Sequence, residues 1–550
     1  MKLINATTLQ LEEYLETAAP PYAILSHTWE DEEVLYQDMG QPHASAKKGY
    51  RKIVETCRLA LEQGIQYSWV DTCCIDKSSS AELTESINSM FRWYEKASVC
   101  FVYLSDLDPN VSARDGLRHC RWFTRGWTLQ ELIAPKEILF FDRDWVFRGE
   151  KTKFIRQIAE ITSIPAAVLK GNRLPNTCSV AMRMSWASNR QTTRVEDQAY
   201  SLLGIFGVNM PLIYGESSGA FRRLLEEIIS RGNDLTVFAW ENSRGEGGSG
   251  RYDSPLAASP ADFADTGDVQ QYFANMMGRR TEYALSNNGL RFTGQIEVVS
   301  VGDAIMPPKF PYYCLQLGKR KRNGGGYYPM GIKLQKIAPG IFIRDRSAPL
   351  SDLATGQYPT SIVSHAIVSH TFSILTNYWN LPPRVQQEYV LGSIYVGSLH
   401  PSAHIVDARP LDHWDASHAR FFSTDTSQLF AAAFNLSIQE EMLLCLVLLD
   451  NRFVPPAPTI CLRTSEYSNL VSWIFRRKNS TEALYWDEIH LDVPPFPALE
   501  TSLDVSLGDG GTALITASIT ESEDTHHGTA VRSFTLTVNV ARTTGSTHSG

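Results

Sequence analysis

Tyr22-Ala-Ile-Leu-Ser26, followed at once by His27-Thr-Trp29-Glu-Asp31, is the stretch whose reading decides the fold. A short apolar run that ends in polar residues reads as a buried strand with a polar exit. Downstream, Tyr50, Ile53, Val54, Cys57, Ala60 and Leu61 recur at helical spacing over residues 48–63, and Gly64 closes that helix as a C-terminal cap. Tyr67-Ser-Trp-Val70 is a second strand, with Asp71 at its exit. Ser79 with Glu82 three residues on has the form of a capping box. It opens a helix carrying Leu83, Ile87, Met90, Phe91 and Tyr94 on one face. Val99-Cys-Phe-Val-Tyr-Leu104 is a third strand with Ser105-Asp106 at its exit, and Glu137-Ile-Leu-Phe-Phe141 is a fourth. Strands alternating with helices predict an α/β domain over 1–150, a parallel sheet with flanking helices. Ligands of such sheets bind beyond the carboxyl ends of the strands. The polar exits at Ser26/His27, Asp71 and Ser105/Asp106 are therefore the first places to look for a site.

Residues 151–241 read as a helical extension. Phe154 to Ile164, Glu196 to Gly207 and Phe221 to Ile229 each carry apolar residues at helical spacing. Asn242-Ser-Arg-Gly-Glu-Gly-Gly-Ser-Gly250 breaks the composition and reads as a flexible linker. From 251 to 541 the pattern turns to strands, among them Val298–Val301, Tyr312–Leu317, Ile341–Arg344, Leu443–Leu449 and Phe534–Val540. A β-rich, sandwich-like region is expected there, with a role in recognition or in restraining the N-terminal domain. No repeat of fixed period is present, and residues 542–550 read as a disordered tail.

Composition narrows the function classes. A net charge of −9 over 550 residues argues against a nucleic-acid-binding surface. The basic run Lys319-Arg-Lys-Arg322, followed by Asn323 and three glycines, reads as a solvated hairpin tip. No apolar run approaches the roughly 20 residues that span a bilayer, and the first residues lack a signal-peptide core. Nine scattered cysteines do not form a disulfide framework, so a reduced, cytoplasmic setting is expected. Phosphate-loop, dinucleotide-fold and nucleophile-elbow patterns are missing from the sequence. Cys73-Cys74 with His119-Cys120 does not have zinc-ligand spacing, and no metal is expected.

Chemistry concentrates in Arg125-Gly-Trp-Thr-Leu-Gln-Glu131-Leu-Ile133. On a helix, Trp127 and Glu131 share a face. A carboxylate beside an indole is partly desolvated, which raises its pKa. The same spacing also suits an ordinary amphipathic helix with a solvated glutamate. His27, at a strand exit, reads as ligand-facing. Trp29, Trp69 and Trp127 read by default as packing residues, with one or two able to stack a nucleobase or nicotinamide ring.

Three blocks now stand in order: Tyr22-Ala-Ile-Leu-Ser-His-Thr-Trp29, Trp69-Val-Asp-Thr-Cys-Cys-Ile-Asp-Lys77 and Arg125-Gly-Trp-Thr-Leu-Gln-Glu131. Together they resemble the fungal heterokaryon-incompatibility (HET) domain. The segments Glu196–Glu216 and Asp234–Trp240 resemble the extension that follows it in family members. The second block departs from the common Cys-Ile-Asn-Gln, reading Cys74-Ile-Asp76-Lys77 here. The family is similar in turn to Toll/interleukin-1 receptor (TIR) domains, which implies a flavodoxin-like fold. Trp127-Thr-Leu-Gln-Glu131-Leu132 resembles the TIR block that carries the catalytic glutamate of NAD hydrolysis, with Thr128 in place of cysteine. The resemblance thus implies a cell-death effector with Glu131 as catalytic residue and Ser26, His27, Trp29, Asp71, Arg125 and Trp127 as substrate-binding residues. It implies NAD as substrate, no bound cofactor, and a homo-oligomer or an incompatibility partner protein. A self-associating module without enzymatic activity is the alternative.

Overall fold

The computed structural model describes residues 1–241 without a break, 255–271, and from 282 to 543 mainly strands. The expected linker at 242–250, the expected hairpin tip at 322–325 and residues 544–550 of the expected tail lie outside the described residues. Two compact units emerge. The first holds residues 1–247, 256–273 and 317–330, and the second holds the remainder.

The first unit is built on a seven-stranded sheet: β1 (Lys2–Asn5), β2 (Leu11–Glu13), β3 (Tyr22–His27), β4 (Tyr67–Trp69), β5 (Val99–Tyr103), β6 (Ile138–Phe141) and β7 (Phe147–Glu150), in the order β2-β1-β4-β3-β5-β6-β7. The four strands read from the sequence form its centre and run parallel, with Ile24 opposite Trp69 and Ser26 opposite Val102. The expectation of a wholly parallel sheet is corrected at the edges, where β1, β2 and β7 pair antiparallel. These edge strands are three or four residues long, too short for a periodic signal.

Helices α1 (Tyr50–Glu62), α2 (Ser80–Lys96), α3 (Ala113–Gly116) and α4 (Thr128–Ile133) lie between the strands. Gly64 takes φ +73° and Ile65 N–H donates to Ala60 O at 2.9 Å, so α1 ends in the left-handed conformation that glycine adopts without strain. Ser79 caps α2 by accepting from Glu82 N–H at 3.3 Å. The Glu82 carboxylate does not return to the Ser79 amide. It accepts from Asp76 N–H at 2.9 Å and pairs with Lys2 at 2.6 Å, tying the helix start to the edge strand. Trp69 is fully buried, edge-on to Trp93 at 5.6 Å and to Tyr94 at 5.9 Å. These contacts fix α2 against the sheet.

The extension comprises α5 (Lys151–Thr162), α6 (Ala166–Leu169), α7 (Val180–Ser185), α8 (Asp197–Tyr200), α9 (Leu203–Phe206) and α10 (Gly219–Arg231). The single helix expected over Glu196–Gly207 is split into α8 and α9. The break lets Gly204 abut α2, where a Cβ would lie 2.1 Å from Phe91 Cβ. Asn88 makes a reciprocal amide pair with Met210, at 3.2 and 3.1 Å. The extension is thus packed directly on α2.

The second unit is β-rich. Each of the five segments singled out beyond residue 251 lies in a strand. Glu441–Asp450 is paired on both sides in a four-stranded antiparallel sheet, and Thr529–Thr543 runs antiparallel to Thr512–His526 in a six-stranded one. Alternate residues Phe534, Leu536 and Val538 of one sheet and Cys445, Val447, Ile460 and Leu462 of the other share a single apolar core.

Candidate functional site

The sheet order places a crossing point at β3. The chain passes from β3 to β4 on one side and then to β5 on the other, which makes the carboxyl ends of β3 and β5 the topological switch point, where ligands of such sheets bind. Ser26 and His27 are the last residues of β3. The Ser26 hydroxyl donates to Glu131 of α4 and accepts the Trp122 indole N–H at 2.7 Å. Tyr94 donates to Leu25 O at 2.9 Å and lies against the same carboxyl. Ser26 is 0% and Glu131 6% exposed, so the carboxyl sits inside the fold.

Burial pushes the Glu131 carboxyl up to about 8, and the Asp71 charge adds to the rise. Hydrogen bonds from Ser26 and Tyr94 and the Arg125 charge oppose it. At neutral pH this carboxyl is therefore mostly protonated, as expected for a buried acid facing another acid.

A second group adjoins it at the exits of β3 and β4. Trp29 donates its indole N–H to Asp71 at 2.8 Å. The His27 ring lies 3.9 Å from Asp71 and 3.7 Å from Glu33. Burial depresses the His27 pKa and the cations Lys52 and Lys77 add to this, outweighing both carboxylates, so the ring is neutral. Lys77 stacks on the Trp29 ring at 3.5 Å from its centroid, with Nζ buried and lacking a hydrogen bond among the described residues. Burial lowers its pKa. Lys52 pairs with Glu33 and donates to Thr28 O at 3.3 Å.

The structure thus gathers Ser26, His27, Trp29, Asp71 and Glu131 at one end of the sheet. Arg125 and Trp127 face the extension instead. Arg125 donates to Thr193 at 3.1 Å, and Trp127, at the residue before α4, hydrogen-bonds Asp197. The indole that joins the Glu131 network is Trp122, because the helix begins only at Thr128 and Trp127 precedes its first turn. Trp122 and Tyr94 carried no distinctive spacing. Tyr94 read as one of five apolar positions on α2, and Trp122 stood just outside the third block. Arg190 was also missed. It donates to Arg125 O at 2.8 Å and to Thr128 at 2.9 Å, anchoring the start of α4.

Among the described residues no three His, Cys, Asp or Glu side chains are grouped to hold a metal. Cys57, Cys73, Cys74, Cys100, Cys120 and Cys178 are buried, free thiols. No described helix is long and apolar enough to cross a membrane.

The first two blocks lie in a segment that matches a known family. The model of the family "Heterokaryon incompatibility protein (HET)" matches residues 22–115, which include the first two blocks and end before the third. Over 219 residues the chain is 50% identical to the vegetative incompatibility protein HET-E-1 of Podospora anserina. That match covers 38% of this chain and 16% of the relative. No solved structure matches.

Proposed function

We propose that the chain acts in heterokaryon incompatibility as a cytoplasmic cell-death effector whose HET domain hydrolyses NAD. The incompatibility role rests on the HET domain and on the identity with a vegetative incompatibility protein. One observation carries the chemistry: a buried glutamic acid, held by Ser26, sits where the strand order reverses. The arrangement β4-β3-β5-β6 supports a flavodoxin-like, TIR-like reading of the domain. A nicotinamide ring in NAD is cationic, and a cation beside Glu131 favours its ionised form. The carboxylate then stabilises the ribosyl cation as the bond from C1′ to the nicotinamide nitrogen breaks. Both electrons leave with nicotinamide, water adds at C1′, and a proton is released. Trp29 stacks the ring, while His27 and Asp71 position the substrate. Ser26 and Glu131 are closed to solvent here, so turnover requires opening, which self-assembly supplies in this reading.

The test is nicotinamide release from NAD by the full chain, dilute and assembled. Glu131→Gln should lower the assembled rate by about 100-fold or more. Equal rates would remove Glu131 from the mechanism.

The burial of Ser26 and Glu131 favours a second reading, in which the pair is structural and the domain signals by self-association or by binding an incompatibility partner. Cell killing that persists in Glu131→Gln, with cellular NAD unaltered, selects it.

A further inference from the structure

A cavity of about 120 Å³ lies within the first unit, beside Gly126 at the start of the third block. Ser188, Arg190, Thr192, Gln198, Ser201 and Ser259 contribute its polar lining. Arg190 brings the only positive charge among the lining residues, and none of them is acidic. Its Nε donates to Trp186 O at 3.3 Å, and Nη1 serves Arg125 O and the Thr128 hydroxyl. The side chain is partly exposed along its length, but Nη2 is buried and has no hydrogen-bond partner among the described residues. A guanidinium carries five N–H donors, so two remain unspent at Nη2.

All the acceptors on Arg190 are neutral. The carboxyl that acts on it electrostatically is Glu131, which is mostly protonated at neutral pH. A buried cation without a counter-ion is unfavourable unless an anion completes it. The volume far exceeds the roughly 15 Å³ that one water requires. Its lining of hydroxyls, an amide and a guanidinium fork supplies the kind of hydrogen-bond donors that a tetrahedral oxyanion accepts.

We propose that this cavity is a binding site for a phosphate group, with Arg190 as its cation and Gln198 and Ser201 as further donors. Two sources share this chemistry: free inorganic phosphate and the phosphate of a nucleotide. The site is separate from the Ser26–Glu131 pair and does not depend on NAD hydrolysis.

The experiment is calorimetric titration of the full chain with inorganic phosphate at constant ionic strength, in the Glu131→Gln background so that turnover plays no part. Saturable one-to-one binding is expected, weakened at least tenfold in Arg190→Gln. Arg190 also anchors α4, so Gln198→Ala and Ser201→Ala are measured alongside, each with near-ultraviolet circular dichroism as a check of the fold. A threefold to tenfold loss is expected in each. ADP-ribose that displaces phosphate identifies a nucleotide as the source, and phosphate binding indifferent to ADP-ribose identifies the free ion. Absence of saturable binding, or an affinity unchanged from the Glu131→Gln parent in all three variants, overturns the proposal and leaves a water-filled cavity.

Discussion

The Ser26 hydroxyl donates to the Glu131 carboxyl across 105 residues of sequence. A strand end and the third turn-and-helix block are thereby locked together within the domain. Because this carboxyl is buried, the bond has consequences for stability that need no assumption about catalysis.

The first concerns pH. An exposed glutamic acid titrates near 4.5, whereas Glu131 in the fold is pushed up to about 8 by burial. Between these values the native state keeps a proton that the unfolded chain has released. Stability therefore falls as pH rises through this window and levels off above about 8. The full effect is at most about 5 kcal/mol. His27 acts in the opposite sense. Its depressed pKa makes the unfolded chain the better proton binder, so it costs stability as pH falls below 6.5. Urea midpoints should decline from pH 6.5 to 8 in the native sequence. Glu131→Gln, which mimics the protonated acid, should flatten that decline and leave the His27 slope visible at low pH. An unchanged decline in the variant would show that Glu131 is not the titrating group.

Ser26→Ala tests the same bond from the other side. The hydroxyl favours the ionised carboxyl and so opposes its upward shift. Removing it should move the Glu131 titration to still higher pH, carrying the stability decline upward with it. It also leaves the Trp122 indole N–H without its acceptor, at a cost of about 1–3 kcal/mol. Trp122→Phe removes the donor and also part of a fully buried indole, so a loss of about 2–3 kcal/mol is expected. A Ser26→Ala protein as stable as the native one, with the same pH profile, would contradict the network.

The centre of the sheet was legible because β3, β4, β5 and β6 are apolar runs separated by periodic helices. The polar exits led to Ser26, His27 and Asp71, and the third block led to Glu131. What stayed hidden was which partners would meet. Trp122 and Tyr94 reach Ser26, Leu25 and Glu131 only through the register of β3 against α2 and α4, a long-range property that local spacing does not encode. Edge strands were invisible for a related reason, since three or four residues carry no period. Arg190 belongs to none of the three blocks, and its role follows only from the backbone carbonyl and hydroxyl placed around it by the fold.

Gly204 supplies a prediction about packing. A Cβ at this position would lie 2.1 Å from Phe91 Cβ and 2.5 Å from Phe91 Cγ. These atoms belong to the root of the Phe91 side chain, so rotation cannot relieve the clash. Helix α9 or α2 must shift. Gly204→Ala should cost about 1–3 kcal/mol despite alanine's better helix propensity. The reciprocal Asn88–Met210 pair is displaced by the same movement. A thermal midpoint equal to that of the native chain would show that α2 and α9 are not in close contact.

The last prediction concerns where the N-terminal unit can be cut from the rest. Residues 1–247 look like a natural fragment, but the unit also includes 256–273 and 317–330. Phe263 and Val269 are fully buried there and Leu256 nearly so. Ser179 donates to Val269 O at 2.7 Å, and Thr266 donates to Ala181 O at 3.0 Å, both across to α7. Ending the chain at 247 strips these apolar groups from the extension and leaves buried polar atoms unpartnered. The loss should be on the order of 3–5 kcal/mol relative to a fragment ending at 273. Denaturant unfolding of the two fragments checks the difference. If the β-rich region restrains the HET domain, cell killing should rise in the 1–273 fragment. A rise confined to 1–247 would point to the loss of residues 256–273 and not to release from the β-rich region. Equal stability of the two fragments would show that these residues are not part of the first unit's core.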